Sequence, residues 1–129
     1  MNQQLWLQAV HYHQTGRYQE ALNCYLDLSR NTVNIDLLFN MGSVNTRLQK
    51  WDDAEKCYQS ILELKPFHSK AKNNLALLYQ KLGFLFRAEK LLRELLRDDP
   101  WNLDISNNLA GILLGQGRPE EGCDILYPA

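Results

Sequence analysis

The chain has 129 residues, of which 45% are hydrophobic and 22% are charged, and this balance excludes a disordered or low-complexity protein. Its 14 basic and 15 acidic side chains give a formal net charge of −1. Since proteins that bind nucleic acid usually carry a basic surplus, we expect no nucleic-acid partner.

The N-terminal segment has neither a basic region nor an apolar run of signal-peptide length, so the sequence does not predict secretion. No stretch approaches the roughly 18 apolar residues of a membrane-spanning helix. We therefore expect a cytoplasmic protein that does not insert into a membrane.

A period of 33 or 34 residues divides the chain into four units, at about residues 2–34, 35–68, 69–102 and 103–129. Two columns of small residues and one column of large residues keep this period. They are Ala9, Gly42, Ala76 and Ala110; Ala21, Ala54, Ala88 and Gly122; and Tyr25, Tyr58, Leu92 and Leu126. Small residues are needed where two helices cross closely, and the large ones then fill the space between neighbouring units.

Each unit is predicted to be two helices joined by a short turn. In chain order, the turns fall at Gly16, Gln49, Gly83 and Gly117. In the third unit, for example, Leu75, Leu78 and Leu82 follow helical spacing, and Gly83 ends that helix. Because Gln49 stands where the other units have glycine, its turn is expected to be strained or to differ in geometry. No segment alternates as a strand does, so the predicted fold is all-α.

This pattern resembles the tetratricopeptide repeat family over essentially the whole chain. The most similar unit is residues 37–66, LLFNMGSVNTRLQKWDDAEKCYQSILELKP, and the next is residues 72–100, KNNLALLYQKLGFLFRAEKLLRELLRDDP. The resemblance implies a single array, a right-handed superhelical solenoid of about three and a half helical hairpins. It also implies that the first helix of each hairpin lines a concave groove.

The fourth unit stops before its second helix is complete, and we therefore expect the chain to be a fragment of a longer protein. A solenoid usually ends in a polar capping helix, so Ile125, Leu126 and Tyr127 are expected to be exposed at this end. One alternative is a natural terminus that frays. The other is that a second copy covers this end with Trp6 and Leu7, head to tail, which would make the chain a homo-oligomer.

The sequence contains no motif for catalysis: it has no glycine-rich phosphate loop, no G-x-S-x-G and no H-E-x-x-H. Cys24, Cys57 and Cys123 are expected to be buried, reduced thiols. No histidine has a companion cysteine at metal-ligand spacing. We expect no catalytic residue, no cofactor and no metal, and hence no enzyme in this segment.

A column of asparagines is the strongest candidate for a binding site. Asn40, Asn74 and Asn108 recur at intervals of 34 on the first helices, and Asn73 and Asn107 precede two of them. An asparagine side chain offers one acceptor and one donor group, as a peptide group does. The column is similar to the asparagine ladder in the superhelical domain of protein O-linked N-acetylglucosamine transferase, which implies binding of a peptide backbone. The alternative is that these amides serve hydrogen bonds within the fold.

Other side chains are expected to line the same groove. Trp6 and Phe39 are expected to form an apolar N-terminal part, and Lys70 and Lys81 to contribute positive charge further along. The alternative for Trp6 is that it covers the N-terminal end of the stack.

The family's carboxylate clamp for chaperone tails is incomplete in this sequence. Asn40 and Lys70 fit that pattern, but three of its five positions carry Trp6, Val10 and Asn74. We therefore do not expect the chain to bind chaperone tails through such a clamp.

Taken together, these patterns predict a protein–protein interaction scaffold that binds an extended peptide segment in its groove. One alternative is the substrate-targeting arm of a larger enzyme of glycosyltransferase or sulfotransferase type. The other is a self-assembling scaffold that associates through its uncapped ends.

Overall fold

The computed structural model describes residues 2–127, and its regular secondary structure within that range is entirely helical. The helices are α1 (Gln3–Gln14), α2 (Tyr18–Ser29), α3 (Ile35–Arg47), α4 (Trp51–Leu64), α5 (Ser69–Leu82), α6 (Leu85–Asp98), α7 (Leu103–Gly115) and α8 (Pro119–Leu126). Each odd-numbered helix packs against the even-numbered helix that follows it. The prediction of an all-α fold built from helical hairpins is confirmed.

The chain divides into two compact units between Pro66 and Phe67, and each unit contains two hairpins. In the first unit, the two hairpins meet where α2 packs against α3. In the second unit, α6 packs against α7 in the same way, and α5 also contacts α7. Among residues 2–127, no helix combines the length and the apolar character needed to cross a bilayer.

All four turns within the hairpins use the same backbone geometry. The turn residues Gly16, Gln49, Gly83 and Gly117 have φ values of 80°, 60°, 85° and 72°. In each turn, the next residue donates its backbone N–H to the carbonyl five positions earlier at 2.8 Å, as from Lys50 to Asn45 and from Phe84 to Tyr79. This is the Schellman arrangement that satisfies carbonyls at a helix end. The predicted turn positions are therefore confirmed.

Gln49 adopts this left-handed conformation although it has a side chain, which confirms the predicted strain. The left-handed region costs an L-residue about 1–2 kcal/mol. Glycine avoids that cost but adds about 0.5–1 kcal/mol of unfolded-state entropy. We therefore expect Gln49→Gly to raise the free energy of unfolding by about 0.5–1 kcal/mol, measured by urea denaturation.

The matched control for this substitution is Gln59→Gly, at an exposed position inside α4. There the backbone is ordinary helix, so glycine should lower the free energy of unfolding by about 1 kcal/mol. If Gln49→Gly destabilises the protein as Gln59→Gly does, the turn holds no strain that glycine relieves.

The small columns lie at close helix crossings, as predicted. Ala9, Ala21, Ala54 and Ala88 are fully buried. At Gly42, an added Cβ atom would lie 2.8 Å from the ring of Tyr58, well inside van der Waals contact. The crossing of α7 and α8 is slightly less tight, since a Cβ atom on Gly122 would lie 3.4 Å from the backbone oxygen of Ala110.

The first helix of every hairpin begins with a side-chain cap. Asn2, Asn34 and Asn102 each accept a backbone N–H through Oδ1, and His68 does so through Nδ1. The second helices have no such cap, because the Schellman turn leads directly into them. Three of the chain's asparagines therefore stabilise the starts of first helices.

Two expectations need correction. Cys57 is buried, but Cys24 is half-buried and Cys123 is exposed, because α8 has no following helix to cover it within the described residues. At the same end, Tyr127 is exposed as expected, whereas Ile125 and Leu126 are half-buried. The last residues of the predicted fourth unit, 128 and 129, lie outside the described residues.

Candidate functional site

The asparagines of the predicted column lie on the first helices, partly open to solvent. In the second unit, Asn73 and Asn74 on α5 and Asn108 on α7 are half-buried, and Asn107 is exposed. These helices bury their apolar side chains, such as Leu75, against the rest of the unit. The amides therefore occupy the boundary between the core and the solvent.

Asn73 and Asn108 form a direct pair between α5 and α7. The Asn108 Nδ2 group donates a hydrogen bond to Asn73 Oδ1 at 3.3 Å. A side-chain amide has one carbonyl oxygen and one NH2 group. Among residues 2–127, the oxygen of Asn108 and the NH2 group of Asn73 have no protein partner, so the pair presents one acceptor and one donor.

The asparagine of the first unit is engaged differently. The Asn40 amide donates a hydrogen bond to the hydroxyl oxygen of Tyr25, which is fully buried. The same hydroxyl lies 3.1 Å from His13 Nδ1, and His13 Nε2 lies 3.4 Å from Ser43 Oγ. When His13 carries its proton on Nε2, the three contacts form a chain of hydrogen bonds. The Asn40 amide donates to the Tyr25 hydroxyl, this hydroxyl donates to His13 Nδ1, and His13 Nε2 donates to Ser43 Oγ. Asn40 therefore helps to hold α3 against α2.

The pKa values of this network favour its neutral form. Burial raises the pKa of Tyr25 to about 12, although the hydrogen bond from Asn40 opposes this. Burial lowers the pKa of His13, and the positive charge of Arg47 lowers it further. Neutral His13 can accept the Tyr25 proton, whereas the protonated ring cannot.

The two aromatic residues predicted for the groove pack against tyrosines from the column of large residues. The rings of Trp6 and Tyr25 lie 5.8 Å apart between centroids, and those of Phe39 and Tyr58 lie 6.1 Å apart at a steep angle. Trp6 and Phe39 are both half-buried, whereas Leu7 beside Trp6 is 64% exposed. Most of the Trp6 ring is thus used for packing, and only part of it is open to a ligand.

Lys70 and Lys81 both lie on α5 with exposed side chains. Lys72, on the same helix, forms an ion pair with Glu94 of α6 at 3.4 Å. The side chains of Lys70 and Lys81 are thus open to solvent, whereas Lys72 stabilises the hairpin of α5 and α6. Within the described part of the chain, no His, Cys, Asp and Glu side chains gather in a group that could hold a metal ion.

The structure brings together one pair that the sequence did not connect, Asn73 with Asn108, and a network that it did not indicate, through Tyr25, His13 and Ser43. The 34-residue spacing marked Asn74 and Asn108 as equivalent, and likewise Asn73 and Asn107, but it gave no partner for any of them. No sequence signal marks Ser43, because a single serine on a helix is usually solvated.

Comparison with known proteins places this architecture among repeat proteins. Two family models, both described as tetratricopeptide repeat, match residues 36–66 and 74–126, which together make up more than half of the chain. Tetratricopeptide repeat protein 7B of Homo sapiens is 28% identical over 117 residues, 89% of this chain and 14% of that protein. Transcription factor tau subunit sfc4 of Schizosaccharomyces pombe is 31% identical over 90 residues, 67% of this chain and 9% of that protein. The chain thus spans only a small part of the curated relatives it matches.

Solved structures share the fold. A crystal structure of MamA has a TM-score of 0.85 and 17% identity, and the alignment covers 95% of this chain and 72% of that one. The first TPR of Spaghetti (RPAP3) bound to an HSP90 peptide has a TM-score of 0.78 and 26% identity, with coverage of 88% and 90%. YrrB, described as a TPR protein with an unusual peptide-binding site, has a TM-score of 0.81 and 20% identity, with coverage of 91% and 61%.

Proposed function

This chain belongs to the tetratricopeptide repeat family, and on that basis we propose that it is a protein-binding scaffold which holds an extended peptide segment against its first helices. The role is binding rather than catalysis. The side chains proposed to make the contacts are Asn40, Asn73, Asn74, Asn107, Asn108, Lys70, Lys81, Trp6 and Phe39.

The observation that carries this proposal is the Asn73–Asn108 pair. The hydrogen bond between the two amides fixes both side chains, and it leaves one acceptor and one donor for a ligand. A peptide group has one N–H and one C=O, so it matches such a pair without any contribution from its side chain. Because the pair is already ordered, binding would cost little additional side-chain entropy.

Two structural neighbours support peptide binding as the activity. The Spaghetti domain is described as bound to an HSP90 peptide, and YrrB as having a peptide-binding site. This chain lacks three of the five clamp residues for chaperone tails, since it has Trp6, Val10 and Asn74 at those positions. We therefore propose that the ligand is bound through peptide groups of its backbone, and not through its C-terminal carboxylate.

To test this proposal, peptides from a random library displayed on phage would first be selected on the wild-type protein. The selected peptides would then be measured by fluorescence polarisation against an Asn73→Ala/Asn108→Ala variant, which removes the pair. We expect binding at least about tenfold weaker, or roughly 1.4 kcal/mol, for peptides of different sequence, because the lost contacts are to the backbone. Asn40 is left unchanged because of its bond to Tyr25.

The matched control removes two exposed amides elsewhere, in an Asn23→Ala/Asn31→Ala variant. Its affinity should equal that of the wild type, and circular dichroism should show both variants folded. Equal affinity of the Asn73→Ala/Asn108→Ala variant and the wild type would contradict the proposal. So would a loss confined to one peptide sequence, since that would indicate side-chain recognition.

A further inference from the structure

The outer face of α6 carries a stripe of one aromatic and three basic residues, Phe86, Lys90, Arg93 and Arg97. They follow each other at intervals of four, three and four, so they lie along one side of the helix over about 16 Å. Phe86 is 79% exposed. The opposite side of α6 is buried through Ala88, Leu92 and Leu95, so the stripe points away from the core. We call these four residues the α6 stripe.

The α6 stripe borders an open depression of about 480 Å³ that is also lined by Glu89, Glu94 and Arg118. Both carboxylates are already paired within the unit. Glu89 accepts hydrogen bonds from Arg93 and Arg118, each at 2.8 Å, and Glu94 pairs with Lys72 at 3.4 Å. Burial by itself would raise the pKa of Glu89, but these two arginines hold it below its usual value, so the carboxylate is ionised.

The remaining cations of the depression have no carboxylate partner among residues 2–127. Neither Lys90 nor Arg97 takes part in an ion pair there. The lining residues together carry four positive and two negative charges. The depression is thus positively charged, and its free cations lie on either side of Arg93.

The repeat fold does not require this stripe. The equivalent positions on α4 are Asp52, Lys56, Gln59 and Glu63, and those on α2 are Gln19, Asn23, Leu26 and Arg30. Neither set has an aromatic residue or three cations. An exposed phenylalanine beside unpaired cations gives the fold no evident stability, and such a patch is typical of a contact surface.

We propose that the α6 stripe is a second docking site, which binds an acidic protein segment carrying one large apolar side chain. Carboxylates of the segment pair with Lys90 and Arg97, and its apolar side chain packs on the ring of Phe86. The length of the stripe matches about five residues of extended chain or three turns of helix. The site lies on α6, the second helix of its hairpin, so it is separate from the Asn73–Asn108 pair on α5 and α7.

Neighbouring charges favour a short acidic segment over a nucleic acid. The adjoining helix α8 carries Glu120, Glu121 and Asp124, with Glu120 and Asp124 lining a second shallow depression. A long polyanion that follows the α6 stripe would be repelled by these carboxylates, and the net charge of the chain is −1. A short segment can pair with the cations and avoid the acidic helix.

The test uses a fluorescein-labelled, glutamate-rich peptide with one central leucine, whose binding is followed by fluorescence anisotropy. A Lys90→Gln/Arg97→Gln variant should bind at least about fivefold more weakly, and Phe86→Ala should weaken binding of this peptide but not of one without leucine. Affinity of the wild type should fall between about 50 and about 300 mM salt. The Asn73→Ala/Asn108→Ala variant should bind this peptide normally, which keeps this test independent of the proposed function.

The matched control is Lys50→Gln/Lys56→Gln, which removes two exposed cations from the first unit and lowers the net charge equally. It should bind the acidic peptide as the wild type does. An equal loss in both double variants would overturn the proposal in favour of general charge attraction. Binding of the peptide unchanged by Lys90→Gln/Arg97→Gln, or tighter binding of a short DNA duplex at the same residues, would overturn it as well.

Discussion

Replacing Gly42 with leucine is expected to lower the free energy of unfolding by about 3 kcal/mol. A Cβ atom at this position lies 2.8 Å from both Cε1 and Cζ of Tyr58. The Tyr58 ring is 2% exposed and packs against Phe39, so it has little room to move. The crossing of α3 and α4 must therefore open, and urea denaturation followed by circular dichroism would measure the cost.

The control is Gly111→Leu, which makes the same change on α7. An added Cβ atom at Gly111 meets nothing within 4 Å, and the residue is exposed. Because leucine is the better helix former, this variant should be more stable by about 0.5–1 kcal/mol. If Gly42→Leu is as stable as the wild type, the close helix crossing is not the reason for a small residue at this position.

Replacing Tyr25 with alanine is expected to lower the free energy of unfolding by about 3–5 kcal/mol. The ring is fully buried, and it contacts Trp6 and His13 at centroid distances of 5.8 and 6.0 Å. Alanine leaves a cavity between α1, α2 and α3, and it leaves the Asn40 donor without its acceptor. Thermal or urea denaturation of the variant gives the value directly.

Tyr25→Phe separates the hydrogen bonds from the packing. Phenylalanine keeps the ring but removes the hydroxyl, so its cost should be about 1–3 kcal/mol. Adding Asn40→Ala to this variant should cost less than Asn40→Ala alone, because both changes remove the same hydrogen bond. A Tyr25→Phe variant as stable as the wild type would show that the network contributes nothing to folding.

The periodic features of this fold were predictable because they depend on local backbone and volume. A turn that needs a left-handed residue selects glycine, which located three of the turns. The repeat period located the fourth at Gln49, the residue expected to be strained. A close crossing selects small residues, which located Gly42 and Ala88 in the core. Both requirements act on single positions, so a recurring column of residues reveals them.

Side-chain partners were not predictable in the same way. Asn40, Asn73 and Asn108 all lie in or beside one sequence column, yet Asn40 bonds to a tyrosine of α2 and the other two bond to each other. Such contacts depend on side-chain rotamers and on which helices pack together. Neither can be inferred from the residue type at a single position. Cys123 was wrongly predicted to be buried, because the general preference of cysteine for the core does not say which face of a helix a given position occupies.

Peptide binding at the Asn73–Asn108 pair can be observed directly by nuclear magnetic resonance of the 15N-labelled protein during titration with a peptide selected on the wild type. If the first helices bind the peptide backbone, the side-chain NH2 signals of Asn73 and Asn108 will shift and saturate together with the backbone amides of α5 and α7. The Lys90 and Arg97 region of α6 will then remain unchanged. Saturation of binding without movement of the Asn73 and Asn108 signals would show that these amides do not bind the peptide.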